Sequence, residues 1–366
     1  TKFDPERWLD VIEGAGMQYI CLTTKHHDGY CLWDTKQTEF KVTNSPYGKD
    51  ILAMLAASCQ RRGIPLCLYH SVVDWHHPNY PNQGRSHELA SSLPGDEPDM
   101  ERYTKFLRAQ VRELCTEYGE IHGFWWDMNV TGIRDTSINE MIRELQPNAV
   151  INNRGFDEGD FGTPERDYDQ SVEEIRQFET RTEACQSIGR ESWGYKEDED
   201  YYSERHLIRS VDRTLAKGGN YLLNIGPMAD GTLPEKGVQL LQTVGDWFKR
   251  VRESFEGAEP ASELTHNREV LLTRKNNTLY VHLTHDPTCA RVVLDPIAVT
   301  PERAVLLNDG EEVETRMDLT PTRVMGKEGI LRSAEPCLRV RNLPINERAG
   351  ETLVLRLDFE SLPDSA

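Results

Sequence analysis

The sequence predicts an α/β fold in which a (β/α) barrel, incomplete or irregular, is followed by a C-terminal antiparallel β-sandwich. Helices alternate with short, continuously apolar strands through most of the chain, which indicates parallel βαβ units. No glycine-rich dinucleotide or phosphate-loop motif follows any of these strands. Polar and aromatic residues gather instead just after one strand after another, where a barrel places its active site. We therefore favour the barrel over an open, doubly wound sheet.

The first predicted element is a helix that starts at Asp4-Pro5-Glu6, with Asp as the N-cap and Pro at the first helical position. A buried strand at residues 19–24 follows it. The same pairing of elements then repeats along the chain. Helices are predicted at residues 50–62, 101–118, 136–145 and 201–217, followed by strands at 64–70, 121–127, 149–154 and 220–225, and a last helix at 234–252.

The number of strands falls short of a closed barrel. About six are visible, counting one at residues 183–188, whereas a closed barrel of this type has eight. The first predicted element is also a helix that leads into a strand, whereas a (β/α) unit begins with a strand. We therefore expect an N-terminal strand to be missing, supplied by another chain or replaced. An exposed barrel edge would favour a homo-oligomer.

After the last helix the pattern changes to alternating apolar and polar residues. Strands are predicted at residues 270–273, 279–283 and 353–357, separated by Gly, Asn and Pro turns. The sequence therefore predicts two domains, a catalytic barrel-like domain at 1–258 and a β-sandwich domain at 259–366.

Composition excludes several classes of partner. The 366 residues carry a formal net charge of −19, which argues against a nucleic-acid surface. No stretch approaches the ~20 apolar residues of a membrane helix. The eight cysteines form no CxxC pair and no zinc-like spacing, and no cofactor-binding motif is present, so no cofactor is expected from these patterns. We expect a soluble protein, either cytoplasmic or secreted.

Asp127 is the main candidate for chemistry. It ends a predicted strand directly after three aromatic residues, Phe124, Trp125 and Trp126. A carboxylate in such a place is costly to desolvate unless it has a function. A nucleophilic carboxylate must be ionised and rigidly held, and a strand end provides that rigidity.

Polar and aromatic residues at the other strand ends are candidates for sugar binding. Imidazoles donate hydrogen bonds to hydroxyls or bind metals, and aromatic rings pack against the C–H faces of sugars. A guanidinium can hold a nucleophile ionised or bind a hydroxyl. The candidates are His26, His27, Tyr69, His70, Trp75 and Arg154.

A second carboxylate would complete the apparatus of glycoside hydrolysis, in which two carboxyl groups flank the scissile bond. Glu165, in a loop shaped by Gly and Pro, fits a general acid. Glu183 and Trp193, around the strand at 183–188, are the remaining candidates.

Two other functions stay open at this point. A metal-dependent barrel hydrolase would use the histidines 26, 27, 70, 76 and 77 together with Asp127. Paired adjacent histidines do not give the convergent ligand geometry of a zinc site, which disfavours this alternative. A non-catalytic sugar-binding protein is the third reading, because the barrel lacks strands.

Six motifs occur in a fixed order: KHHDGYCLW from Lys25, YHSVVDW from Tyr69, WDMN from Trp126, GDFGTPE from Gly159, SWGY from Ser192 and GGNYLLNIGP from Gly218. From about residue 2 to 255 the chain resembles the α-L-fucosidases of glycoside hydrolase family 29. Family members normally begin with a strand ending in a His-Trp-Gly-type segment, and this chain has no such segment.

The resemblance implies a retaining, metal-independent exo-glycosidase that acts on a fucosylated oligosaccharide or glycoconjugate. It implies that Asp127 is the nucleophile and that Glu165 is the acid/base. Glu183 is the alternative, in the family's Trp-Glu segment, although Thr182 replaces the aromatic residue here. The implied fucose contacts are His26, His27, Tyr69, His70, Arg154 and Trp193, with Trp193 or Trp75 near the methyl face of the sugar.

Overall fold

The computed structural model describes residues 2–82, 91, 93–129, 133–166, 175–326 and 329–362. The chain divides into two compact units. The first contains Thr1–Thr163 and Pro227–Pro234, and the second contains Pro164–Gly226 and Glu235–Ala366. In the described ranges, no helix has both the length and the apolar character needed to cross a bilayer.

The first unit is built on a four-stranded parallel sheet in the order β1-β2-β3-β4. Helices alternate with its strands as the sequence predicts, and each helix starts or ends within two residues of its predicted bounds. Its elements are α1 Pro5–Gly14, β1 Ile20–Lys25, α2 Ile51–Arg62, β2 Leu66–Ser71, α3 Met100–Glu117, β3 Gly123–Asp127, α4 Ser137–Leu145 and β4 Val150–Ile151.

Aspartate side chains start three of these helices. Asp4 accepts a hydrogen bond from the amide of Glu6 (3.0 Å), Asp50 caps α2 in the same way, and Asp99 caps α3. Gly63 ends α2 in the left-handed conformation (φ 68°), which a residue without a side chain adopts at low cost. Local sequence therefore sets where the helices start and stop, and so where the strand ends lie.

Strand β4 is shorter than the predicted strand at 149–154. Asn152 accepts a hydrogen bond from the amide of Trp126 through Oδ1 (2.9 Å) and donates one to the Trp126 carbonyl through Nδ2 (2.9 Å). A buried side-chain amide thus replaces the next backbone pair of the ladder. The parallel pairing stops there, while the chain stays attached to β3.

The two faces of the strands differ in their surroundings. In β2, Leu66, Leu68 and His70 are fully buried, whereas Cys67 and Tyr69 are only partly buried. The same alternation in the neighbouring strands puts Leu22 and Phe124 in the hydrophobic core of this unit. Side chains of a strand point alternately to opposite faces. One face therefore packs on the helices, and the other carries the polar groups.

The second unit contains a parallel pair of strands and two helices. Strand β5 (Glu183–Ser187) pairs with β6 (Asn220–Asn224), close to the predicted strands at 183–188 and 220–225. The helices are α5 (Glu204–Ala216) and α6 (Glu235–Val251). Among the described residues, neither this pair nor the four-stranded sheet closes on itself.

The rest of the second unit is antiparallel. Its strands are β7 Glu259–Pro260, β8 Leu271–Lys275, β9 Thr278–His282, β10 Arg291–Leu294, β11 Arg303–Leu306, β12 Glu314–Gly326, β13 Gly329–Arg341 and β14 Val354–Asp358. They form a five-stranded sheet, β11-β14-β9-β8-β7, and a three-stranded sheet, β10-β13-β12. Apolar residues of both sheets, such as Val281 and Leu355 from one and Leu294 and Leu338 from the other, belong to one core.

A buried hydrogen-bonded pair joins α5 to this antiparallel part. Asp212 Oδ1 lies 2.7 Å from His282 Nδ1, and both side chains are fully buried. His282 Nε2 lies 3.0 Å from the hydroxyl of Thr273 on the neighbouring strand β8. The pair is far along the chain from the strand ends of the first unit.

Candidate active site

Asp127 lies at the carboxyl end of β3 with a donor on each oxygen of its carboxylate. The hydroxyl of Tyr69 donates to Oδ2 (2.6 Å), and Nη1 of Arg154 donates to Oδ1 (3.1 Å). The parallel register of β2 and β3 sets this up, because Tyr69 pairs with Trp125 and Ser71 with Asp127. The Asp127 side chain is 14% exposed, so it is open on one side while its two oxygens are held.

Tyr69 is a hydrogen-bond donor to this carboxylate. Burial raises the pKa of its hydroxyl, and the negative charge of Asp127 raises it further. The hydroxyl therefore stays protonated and donates its hydrogen to Oδ2. Charge-assisted hydrogen bonds of this kind are about twice as strong as those between neutral groups.

Contacts with Thr163 and Trp125 orient the guanidinium of Arg154 towards Asp127. Its Nε donates to the hydroxyl of Thr163 (2.7 Å) and its Nη2 donates to the Thr163 carbonyl (2.8 Å). The guanidinium also lies over the ring of Trp125, 4.7 Å from the ring centroid. Among the contacts of the described residues, Nη1 is the atom that donates to the carboxylate. The planar fork thus orients one oxygen of Asp127 rather than supplying charge alone.

The tautomer of His27 follows from its partner on β2. His27 Nδ1 lies 2.6 Å from Oγ of Ser71, and that hydroxyl donates its proton to the carbonyl of Val73 (2.8 Å). Because a hydroxyl carries one proton, Nδ1 must be the donor to Ser71. His27 Nε2 then faces Asp127 Oδ2 at 3.7 Å and, in the neutral ring, can accept a hydrogen bond from a substrate hydroxyl.

His26 and Trp75 lie beside this group. The exposed ring of His26 stacks on Tyr69, with 5.6 Å between centroids and 5° between planes. Desolvation by the surrounding protein lowers the pKa of His26, against the opposing pull of the Asp127 and Asp28 carboxylates. The ring of Trp75 lies 5.6 Å from that of His27. The structure therefore places His26 against Tyr69 and Trp75 against His27, the two residues that adjoin Oδ2 of Asp127.

Trp125 belongs to this group although the sequence analysis did not select it. Its ring stacks on Tyr69 (5.5 Å, 19°) as well as lying under Arg154. Trp125 and Asp127 are two positions apart on β3, so they share a face of the strand. The period-two pattern was the signal that could have identified this tryptophan.

His70 does not share the site with its neighbour Tyr69. Its side chain is fully buried, with the rings of Trp33, Phe124 and Trp126 around it. Burial and the ammonium of Lys25 hold the pKa of His70 well below its usual range, so the ring is neutral. The expectation that His70 contacts a sugar is not supported by this placement, because residues 69 and 70 point to opposite faces of β2.

Glu165, Glu183 and Trp193 lie in the second unit. The side chain of Glu165 is exposed, and its backbone forms an isolated parallel β-bridge with Cys185 of β5. Glu183 is the first residue of that strand and is buried. Trp193 is half-buried, its carbonyl accepts a hydrogen bond from Nδ2 of Asn224 (2.6 Å), and the guanidinium of Arg166 lies over its ring.

The backbone after Asp127 makes an unusual turn. Met128 has a φ of 60°, in the left-handed region that residues other than glycine rarely adopt. The side chain of Asn129 then donates through Nδ2 to the carbonyls of Ile133 (3.1 Å) and Gly155 (2.8 Å). Strain of this kind clusters at functional sites, where it orients a side chain.

No group of three or more His, Cys, Asp and Glu side chains forms a metal-binding cluster in the part of the chain that the structure describes. The histidines considered for a metal site diverge instead. His26 and His27 line the carboxylate, His70 is buried in the core, and His76 stacks on Phe40 at 4.0 Å.

Comparisons with known proteins agree on one family. The family model described as α-L-fucosidase matches residues 1–253. An α-L-fucosidase of Dictyostelium discoideum is 29% identical over 339 residues, which cover 88% of this chain and 71% of that protein.

Solved structures give the same result. The α-L-fucosidase isoenzyme 1 of Paenibacillus thiaminolyticus superposes with a TM-score of 0.81 at 29% identity, covering 98% of this chain and 87% of that chain. A family 29 α-L-fucosidase of Bacteroides thetaiotaomicron, trapped as a covalent intermediate with 2-fluoro-fucosyl fluoride, gives 0.77 at 27% identity, covering 98% and 82%. The chain therefore belongs to the α-L-fucosidase family, and it is a glycoside hydrolase.

Proposed function

We propose that this chain hydrolyses terminal α-L-fucosides with retention of configuration, through a covalent glycosyl-enzyme on Asp127. The observation that carries the proposal is the carboxylate at the end of β3, which has the Tyr69 hydroxyl on one oxygen and the Arg154 guanidinium on the other. A carboxylate held by two donors is ionised and oriented, as a nucleophile requires.

In the first step an oxygen of Asp127 attacks the anomeric carbon and forms an ester bond to it, while the bond to the leaving oxygen breaks. A general acid gives its proton to that leaving oxygen. In the second step the same group removes a proton from water, the water oxygen bonds to the anomeric carbon, and the ester bond breaks. Two inversions at one carbon give net retention. The covalent intermediate of the Bacteroides relative supports this route.

We assign the acid/base role to Glu165, with Glu183 as the alternative. Glu183 is buried at the amino end of a parallel strand, whereas active sites of barrels lie at the carboxyl ends. Glu165 is exposed, so it can exchange protons with water. The amino-end position of Glu183 and the exposure of Glu165 therefore favour Glu165.

The sugar contacts follow from the groups around Asp127. His26 and His27 present ring nitrogens to hydroxyls, and Trp75 and Trp125 offer apolar surface. Trp193 is proposed for the methyl face of the fucose from the resemblance of its SWGY motif. His70 is assigned a supporting role, because its ring packs behind β2.

The finer description of the fold is also part of the proposal. We expect the parallel strands to belong to an incomplete or irregular (β/α) barrel and the antiparallel sheets to form a β-sandwich, with catalytic and sandwich domains at residues 1–258 and 259–366. The partner is a fucosylated oligosaccharide or glycoconjugate, and a homo-oligomer through a barrel edge stays a prediction. Family membership favours these assignments over a metal-dependent hydrolase or a non-catalytic binding protein.

The test is hydrolysis of nitrophenyl α-L-fucoside by the wild type and by Asp127→Ala, with Glu158→Ala as the control at an exposed carboxylate. We expect the Asp127 variant to lose several orders of magnitude in turnover and the control to match the wild type. Trapping with 2-fluoro-fucosyl fluoride should release fluoride and add one 2-fluoro-fucosyl group to the peptide that contains Asp127. Equal rates in wild type and Asp127→Ala, or a label on another carboxylate, would contradict the proposal.

A further inference from the structure

Lys25 carries a buried positive charge directly before the two site histidines. Its side chain is fully buried, and its ammonium donates to Asp74 Oδ2 (3.0 Å), Gln110 Oε1 (3.2 Å) and the Tyr103 hydroxyl (3.5 Å). These contacts use all three protons of the ammonium. Burying an amine this far from water is costly unless it is paired, so this arrangement is specific.

Asp74, the partner of Lys25, makes hydrogen bonds with several residues of the loop after β2. Its Oδ1 accepts hydrogen bonds from the amides of His76 (3.1 Å) and His77 (2.8 Å). Its own carbonyl accepts one from Nδ2 of Asn82 (3.0 Å). The carboxylate is therefore the anchor of the loop that carries Trp75.

The pair lies where three strand ends meet. The amide of Trp75 donates to the carbonyl of His27 (2.7 Å), which joins the loop after β1 to the loop after β2. The hydroxyl of Tyr103 donates to the carbonyl of Val72. The Val72 amide in turn donates to the carbonyl of Asp127 (2.9 Å), at the end of β3.

Gly29 shows how closely the two loops approach. A Cβ at this residue would lie 2.3 Å from Asp74 Oδ1 and 3.0 Å from the Cβ of His76, and the backbone has a φ of 82°. Both the contact and the conformation require glycine. The loop with His26 and His27 is therefore packed directly against the carboxylate that Lys25 holds.

We propose that Lys25 and Asp74 are positioning residues, which set the place of His27 and Trp75 relative to the Asp127 carboxylate. Neither side chain lines the site, so both act through the loops they hold. This inference rests on the proposed function of the site. It adds to that function a buried charge pair that does not touch the sugar but determines how well the fucose is oriented for attack.

The size of the effect follows from the geometry of reaction. A misplacement of about 1 Å between a binding group and the reacting centre can cost about 10²-fold in rate. Removing one partner of a buried pair would leave an uncompensated charge and threaten the fold. The informative variant is thus the double substitution Lys25→Met/Asp74→Asn, which removes both charges and keeps an acceptor for the His76 and His77 amides.

The experiment is a double-mutant cycle with His27→Ala, measuring kcat/KM on an activated aryl α-L-fucoside with the folded fraction set by circular dichroism. We expect Lys25→Met/Asp74→Asn to lose about 10²-fold in the wild-type background. In the His27→Ala background the same change should cost about tenfold or less, because the group being positioned is already absent. A role in general stability would give the same factor in both backgrounds.

The matched control is Asp212→Asn/His282→Gln, which removes an equally buried pair from the second unit. Its effect on the rate per folded molecule should be small and independent of His27. If Lys25→Met/Asp74→Asn does not fold, Gln110→Met removes one ammonium contact while the ion pair stays, and the same coupling to His27 is expected at a smaller loss.

The positioning role is overturned if the two backgrounds lose activity by factors that agree within about threefold, or if the folded double variant keeps wild-type kcat/KM. Neither result affects the proposed function, which depends on Asp127. If instead the wild type hydrolyses no fucoside, the function fails before the cycle is measured.

Discussion

Arg154 offers the sharpest quantitative prediction, because each of its contacts is separate. Arg154→Met removes the bond to Asp127 Oδ1 (3.1 Å), the bonds to the hydroxyl and carbonyl of Thr163 and the charge over Trp125. Arg154→Lys keeps a positive charge near the carboxylate but has no planar fork to share between Thr163 and Asp127. The two variants therefore separate the charge of Arg154 from its geometry.

The expected magnitude comes from one charge-assisted hydrogen bond to the nucleophile. Such a bond contributes about 1.5–3 kcal/mol. At about 1.36 kcal/mol for each tenfold change in rate, this corresponds to a loss of about 10- to 150-fold in kcat/KM for Arg154→Met. We expect Arg154→Lys to lose nearly as much, because the orientation of Oδ1 is lost with the fork.

The assay is the pre-steady-state rate of glycosyl-enzyme formation from an aryl α-L-fucoside, together with kcat/KM. Arg143→Met is the matched control, since Arg143 pairs with Asp160 at a similar distance (3.0 Å) but is 42% exposed. Exposed pairs contribute little, so this control should keep the wild-type rate. A threefold or smaller loss in Arg154→Met, or full activity in Arg154→Lys, would refute the role of the guanidinium in orienting Asp127.

The remaining predictions concern the other groups of the mechanism. Tyr69→Phe should lower kcat/KM by about 10- to 150-fold through loss of the 2.6 Å bond to the nucleophile; a circular dichroism melt checks the fold, and an unchanged rate would contradict the bond's importance. Glu165→Ala should lose about 10²–10⁴-fold on substrates with poor leaving groups, and azide should restore turnover of activated substrates as the α-fucosyl azide. If Glu183→Ala alone shows that rescue, Glu183 is the acid/base. Chelators should leave the activity unchanged, and activity lost to them and restored by zinc would favour a metal-dependent hydrolase.

Much of the fold could be predicted because local chemistry marks it. Asp caps start α1, α2 and α3 within one residue of the positions read from the sequence. Apolar runs place β2 and β3 to within two residues. The end of β4 was predicted too late in the chain. The side-chain amide of Asn152 replaces the backbone pairing with Trp126, and no local sequence pattern predicts this.

The candidate site could be predicted in part. Asp127, Tyr69 and Arg154 were selected as residues at strand ends, and the parallel register brings them together. Trp125 was not selected, although it shares a strand face with Asp127. His70 was predicted to contact the sugar, and the structure places its ring on the buried face of β2. The partnership of Lys25 with Asp74 joins residues far apart in sequence, so only the tertiary structure reveals it.

The left-handed backbone at Met128 limits how this enzyme can change by mutation. For residues other than glycine the conformation costs about 1–2 kcal/mol, and branched side chains tolerate it least. Met128→Gly would thus relieve the cost in the folded protein, while loosening the turn that follows the nucleophile. Selection for thermostability and selection for turnover would then favour different residues at this position, and a directed-evolution campaign run under each pressure should diverge here first.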